Sequence, residues 1–126
     1  MEYSQAKLLC DSWLPAWTGG RDSVERLLSH YSRDSFYLDP ARPEGIKGRD
    51  ELTVYFGALL TKNPNWRWEA EEIIPTERGF VLKWLAEIPV GARMLAVKGL
   101  DIVEVREGLI TRNEVYFDRS SLFRVT

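Results

Sequence analysis

From residue 66 onward, apolar residues fall at every second position and only short turn segments interrupt them. This alternation constrains the fold more than any other feature of the chain. Trp66, Trp68, Ala70 and Ile74 share one face against Arg67, Glu69 and Glu71. Phe80, Leu82, Trp84, Ala86 and Ile88 share another against Lys83 and Glu87, and Leu95, Val97, Gly99, Asp101, Val103 and Val105 lie in one register. A period of two marks strands with one buried face. The breaks at 75–79, 89–92 and Glu107-Gly108 are too short for a crossover helix, so strands 66–74, 80–88, 93–106 and 109–118 are expected to run antiparallel.

The first half has the helical period instead. Ala6, Leu9, Cys10, Trp13 and Trp17 recur at i, i+3, i+4, i+7 and i+11 across 5–18, with Pro15 able to kink the last turn and Gly19-Gly20 ending it. A second short helix places Val24, Leu27, Leu28 and Tyr31 on one face. A third, Arg49 to Lys62, carries the stripe Leu52, Tyr55, Phe56, Leu59 and Leu60 before Asn63-Pro64 stops it. Between them, 34–39 reads as a short strand running into Pro40, and 40–48 (PARPEGIKG) as a loop. The fold class is therefore α+β: three N-terminal helices packed on a strongly curved antiparallel sheet of about five strands, in one domain spanning 1–126. Helices folded onto a concave sheet leave a cone-shaped cavity where a small apolar ligand would sit.

Charge and cysteine usage exclude several function classes. Seventeen basic residues against nineteen acidic ones give a net charge of −2. The basic residues form no block, so nucleic acid is not an expected partner. Cys10 is the only cysteine, so no intrachain disulfide forms; with a start (MEYSQAKLL) that lacks a charged-then-apolar signal pattern, the expected compartment is the cytoplasm. No apolar run reaches the ~20 residues of a membrane span. His30 is the only histidine, so no metal site is expected, nor any cofactor.

The candidate site follows from what these patterns bury. Asp101 shares a face with Leu95, Val97 and Val103, and an inward carboxyl must be protonated or well paired. A catalytic acid and a salt bridge to Lys83, Lys98 or an arginine are the two accounts of it. Asp39 before Pro40 reads either as turn chemistry or as a functional carboxylate. Five tryptophans are many for so small a core. Trp13, Trp66, Trp68 and Trp84 are core residues or the wall of a pocket, and each carries an N–H that needs a partner when buried. His30 is expected at a helix edge, Cys10 as an inert core thiol and Trp17 as packing at the helix end.

The order and spacing of several short motifs resemble the nuclear transport factor 2-like superfamily, and within it the SnoaL-like branch. They are Trp17-Thr18-Gly19-Gly20-Arg21-Asp22, Leu38-Asp39-Pro40, Gly45-Ile46-Lys47-Gly48-Arg49-Asp50-Glu51-Leu52, Gly99-Leu100-Asp101-Ile102-Val103, Glu107-Gly108-Leu109-Ile110 and Tyr116-Phe117-Asp118. The resemblance covers nearly the whole chain and implies a cone-shaped α+β barrel of the cystatin-like type. The superfamily holds ketosteroid isomerases, polyketide cyclases, epoxide hydrolases, dehydratases and non-catalytic members.

By resemblance to the ketosteroid isomerases, Asp39 is the proton-shuttling carboxylate and Asp101 the protonated acid that donates to an enolate oxygen. Tyr31 keeps a supporting tyrosine, Phe56 replaces a second, and Trp13 stands where the oxyanion tyrosine is expected. The epoxide hydrolase acids are replaced by Trp84-x-Ala86 and Val115. A cyclase acid would fall at Asp101 or Asp118. The resemblance makes Val115 and Phe117, rather than Tyr116 and Asp118, the inward pair of the last strand. The implied site is thus Asp39 and Asp101 as catalytic acids, with Trp13, Tyr31, Phe56, Trp66, Trp68, Trp84 and Phe117 around an apolar carbonyl compound. The implied reaction is isomerisation, cyclisation or dehydration. The alternatives are a hydrophobic-ligand carrier or a dimerisation module, and a homodimer through the outer sheet face is expected.

Overall fold

The computed structural model describes residues 1–120. The first helical stretch divides at Pro15. Helix α1 spans Tyr3–Trp13 and continues as a 3₁₀ turn, Leu14–Trp17, because the proline removes an N–H from the α-helical ladder. A second 3₁₀ turn, Gly20–Ser23, leads into the single turn of α2, Val24–Leu28. Tyr31 therefore lies beyond the helix and opens strand β1, Tyr31–Asp39. His30 sits in the connecting turn, where its ring meets the Ser12 hydroxyl and the Arg26 carbonyl. Helix α3 runs Arg49–Lys62, as its apolar stripe requires. The Arg49 guanidinium donates to the Leu28 and Tyr31 carbonyls and fixes the start of α3 against the entry to β1.

Among the described residues the sheet has six strands, in the order β2-β1-β6-β5-β4-β3. The added strand, β2 (Arg42–Lys47), comes from the segment expected to be a loop. It is an edge strand that buries only Ile46, opposite Tyr37, and it carries Pro43 where no neighbour needs an N–H. So short a strand leaves no alternation to find. The sheet is also mixed, because β1 pairs parallel with β6 (Leu109–Phe117). The other strands form the expected antiparallel meander: β3 (Arg67–Pro75), β4 (Gly79–Val90), β5 (Arg93–Arg106) and β6.

Two irregularities position side chains. A bulge at Glu71 puts Ala70 opposite Trp84 but Glu72 opposite Lys83, which reverses the parity of the strand beyond it. Ile73, not the expected Ile74, then packs on the core, and Ile74 is 43% exposed. The β5–β6 turn holds Glu107 and Gly108 both at positive φ, 54° and 81°, as a two-residue hairpin of this twist needs. α1 and the turn after it cover β3, and α3 covers β1, so the helices roof one face of a curved, open sheet. Thr18 Oγ1 donates to the Trp66 carbonyl at 2.5 Å, and the Gly19 N–H donates to the Pro64 carbonyl at 3.0 Å, pinning the helical layer to the start of β3.

Candidate functional site

Between roof and sheet lies a cavity of about 220 Å³. Its walls are overwhelmingly apolar and rich in aromatic rings: Trp17 from the roof, Trp66 and Trp68 at the start of β3, Trp84 from β4 and Phe117 from the end of β6. The rings form a continuous edge-to-face ladder. Centroid separations are 5.6 Å for Trp66–Trp68, 4.7 Å for Trp68–Trp84 and 5.6 Å for Trp84–Phe117. Gly99 makes the ladder possible. It pairs with Trp84 across β4 and β5, and a Cβ there would stand 2.3 Å from the indole ring.

Asp39 and Asp101 both line this cavity. They are buried to 7% and 5% exposure, so neither is a solvated surface carboxylate. Among the described residues no ion pair reaches Asp101. Its Oδ1 accepts the Trp84 Nε1–H at 2.7 Å and its Oδ2 accepts the Asn113 amide at 2.9 Å. Lys83 and Lys98, the salt-bridge partners considered for it, pair instead with Glu72 and Glu71. Burial pushes the Asp101 carboxyl up to about 6; the two hydrogen bonds pull the other way, and the Asp39 charge adds to the rise. Asp39 is held differently. Its Oδ1 accepts the Ala41 and Arg42 backbone N–H groups at 2.9 and 3.0 Å, closing the turn that Pro40 begins. Its Oδ2 accepts the hydroxyls of Tyr37 at 2.8 Å and Tyr55 at 2.6 Å. The turn account and the cavity account of Asp39 thus hold together, one for each oxygen.

Burial first, and then the neighbouring Asp39, raise both of these tyrosine hydroxyls above their ordinary range, so they remain donors. Among the described residues the Trp66 and Trp68 indole N–H groups are buried and meet no acceptor, and both rings line the cavity. An acceptor inside the cavity is what such groups lack.

Three residues expected at the ligand stand behind the wall instead. Trp13, Tyr31 and Phe56 are fully buried and do not line the cavity. Trp13 lies on the core face of α1, where its Nε1–H donates to the Tyr31 hydroxyl at 3.2 Å. Phe56 packs against Trp17, Tyr31 and Tyr37. The residues missed by sequence reasoning are Tyr37, Tyr55 and Asn113. Asn113 shares the inward register of Val115 and Phe117, and a polar residue in that register was the available signal. Trp17, read as helix-end packing, lines the cavity. Val115 and Phe117 also line it, while Tyr116 is exposed. Cys10 is buried on α1, and burial pushes its thiol up to about 12.

Helices roofing one face of a curved sheet over an apolar cavity define a class of α+β domain. The chain belongs to the SnoaL-like domain family of the nuclear transport factor 2-like superfamily; the family model matches residues 11–113. No curated protein matches the chain.

Among solved structures it is similar to RV0760c from Mycobacterium tuberculosis, with 19% identity and a TM-score of 0.79 over 95% of this chain and 96% of that one. It is also similar to a protein from Jannaschia sp. CCS1 assigned as a SnoaL-like polyketide cyclase, with 10% identity and a TM-score of 0.79 over 95% and 90% of the two chains. A third is TerC, co-crystallised with polyporic acid, with 19% identity and a TM-score of 0.72 over 91% and 95%. Likeness at these identities establishes the fold. No helix among the described residues is long and apolar enough to cross a membrane.

Proposed function

We propose that the cavity binds an apolar carbonyl compound and that Asp39 and Asp101 move its protons, in an isomerisation, cyclisation or dehydration. The observation that carries this reading is the placement of two buried carboxyls on one aromatic-walled cavity. A carboxyl titrating near 6 is populated in both forms around neutral pH, as proton transfer requires. In this role Asp101 donates to the carbonyl oxygen and Asp39 takes the proton from the α-carbon. The Trp66 and Trp68 N–H groups anchor a further acceptor on the ligand, and the ladder of rings holds its flat body. The co-crystallisation of the neighbouring fold TerC with polyporic acid supports a small-molecule ligand.

One observation favours a second reading, a binding domain without turnover. Asp39 accepts four hydrogen bonds, so a substrate proton finds no open lone pair until Tyr37 or Tyr55 lets go. Deuterium exchange α to the ketone of 2-tetralone separates the two. The enzyme reading expects exchange above the buffer rate that is lost in Asp101→Asn and Asp39→Asn. Tryptophan fluorescence quenching by the ketone with no exchange above buffer would establish the carrier instead.

We also propose a homodimer through the outer sheet face. Its support is exposed Met94 and half-buried Leu85 and Leu100 on one face of the β4–β5 pair, with the Lys83–Glu72 and Lys98–Glu71 pairs on the same face. Light scattering at micromolar concentration tests it, and a monomer mass would end it.

A further inference from the structure

Behind the cavity wall, four side chains form one hydrogen-bonded chain that ends on Asp101. Trp13 Nε1–H donates to the Tyr31 hydroxyl at 3.2 Å, Tyr31 to Asn113 Oδ1 at 2.8 Å, and Asn113 Nδ2 to Asp101 Oδ2 at 2.9 Å. The direction is not arbitrary. An indole nitrogen only donates, so the Tyr31 oxygen must accept from Trp13 and send its own hydrogen onward. A flipped Asn113 would point an N–H at that oxygen and leave the Tyr31 hydrogen without an acceptor in a fully buried place. The amide is therefore held with its nitrogen toward Asp101. Trp84, also donor-only, closes on the other carboxyl oxygen at 2.7 Å.

We propose that Tyr31 and Asn113 are positioning residues, which fix the direction of this chain so that a proton carried by Asp101 points into the cavity. Both carboxyl oxygens already accept a hydrogen from the wall side. The proton must then occupy a remaining lone pair, and the open side of Asp101 is the cavity. A neutral Asp101 is thereby a directed donor to whatever oxygen the cavity holds. The proposal rests on the reading of Asp101 as the cavity's proton carrier, but it concerns Asn113 and Tyr31, which stand one and two hydrogen bonds behind Asp101. The charged groups on the cavity with Asp101 are Asp39 from β1 and Arg119, and the Asp39 charge adds to the rise of Asp101. Burial, with the Asp101 charge, raises the Tyr31 hydroxyl and the Cys10 thiol, so both stay neutral across the acid range.

The test is the titration of the Asp101 carboxyl carbon by NMR, with no substrate present. In Tyr31→Phe the aromatic packing stays, but Asn113 is free to flip and turn its oxygen toward Asp101, which favours the protonated form. The Asp101 midpoint is expected to rise by about one pH unit. Trp13→Phe removes the fixed donor and is expected to shift it in the same direction. Phe80→Leu, a core change beside Trp13, is the control and is expected to leave the midpoint in place. Unchanged midpoints in both folded variants, or an equal rise in Phe80→Leu, would overturn the proposal. Should Tyr31→Phe not fold, Trp13→Phe decides. Failure of the enzymatic reading shows in the exchange assay and leaves this shift readable.

Discussion

The Trp84 indole N–H donates to Asp101 Oδ1 at 2.7 Å along a diagonal of the β4–β5 pair, because Gly99 opposite Trp84 leaves the ring room to lie over the neighbouring strand. One bond thus joins the aromatic ladder to the acid, and the packing of the wall sets the chemistry of the carboxyl.

The first prediction concerns pH. Asp101 is raised from an ordinary 3.8 to about 6 by burial, so between those values the folded chain keeps a proton that the unfolded chain releases. The folded state is therefore favoured by this group at low pH and loses that advantage as pH rises through about 6. A shift of about two units corresponds to about 3 kcal/mol. Asp101→Asn has its own constant offset, from one amide facing a donor, but no titration. Urea unfolding of both proteins at pH 4 and pH 7.5, a window that opens just above the unfolded value, should show the wild type losing about 2 kcal/mol relative to the variant. Parallel pH profiles would mean that Asp101 titrates normally.

Gly99→Ala should be costly out of proportion to one methyl. The added Cβ would meet the Trp84 ring at 2.3 Å and Phe117 Cβ at 2.8 Å, on both flanks of β5. Overpacking of this kind costs about 1–3 kcal/mol. Because the indole must move, the Trp84–Asp101 bond is strained as well. A lower melting temperature should come with a changed Asp101 NMR midpoint. Loss of stability with the midpoint unmoved would separate the glycine from the acid.

Regular alternation made β4 and β5 legible, and with them the inward placement of Asp101, Trp84 and Val97. Legibility failed where a local event overrode the period. The Glu71 bulge exchanged Ile74 for Ile73, and β2 was hidden because Pro43, Gly45 and a single buried Ile46 carry no period. Trp13 and Phe56 face the apolar core, as their spacing requires, but do not line the cavity. Sequence spacing tells which side of a helix is buried, not whether a second layer of rings stands between it and the cavity. The Tyr31–Asn113 bond was out of reach for a related reason: the two residues are 82 apart in the chain, and only the β1–β6 pairing brings them together.

Trp66→Phe and Trp68→Phe test the unpartnered indole N–H groups. Each change keeps an aromatic ring and deletes one donor. With fluorenone and fluorene as probes of the same shape, with and without a carbonyl, the wild type is expected to prefer fluorenone. Each variant should reduce that preference by roughly 2- to 10-fold, the worth of one net hydrogen bond. Fluorescence titration of both probes gives the ratio directly, and an unchanged ratio in the double variant would remove these N–H groups from ligand recognition.

Tyr55→Phe bears on the saturation of Asp39. Tyr55 is half-buried on the cavity, and its hydroxyl donates to Asp39 Oδ2 at 2.6 Å beside that of Tyr37. Deleting it opens one lone pair of Asp39 toward the cavity, so Asp39 becomes accessible to a substrate proton. The fold should lose about 0.5–1.5 kcal/mol, the net value of one hydrogen bond. If Asp39 takes the proton from carbon, deuterium exchange into 2-tetralone should speed up in Tyr55→Phe and vanish again in Tyr55→Phe/Asp39→Asn. A slower rate in the single variant would instead make the Tyr55 hydroxyl the donor to the developing oxyanion, with Asp39 as the group that orients it.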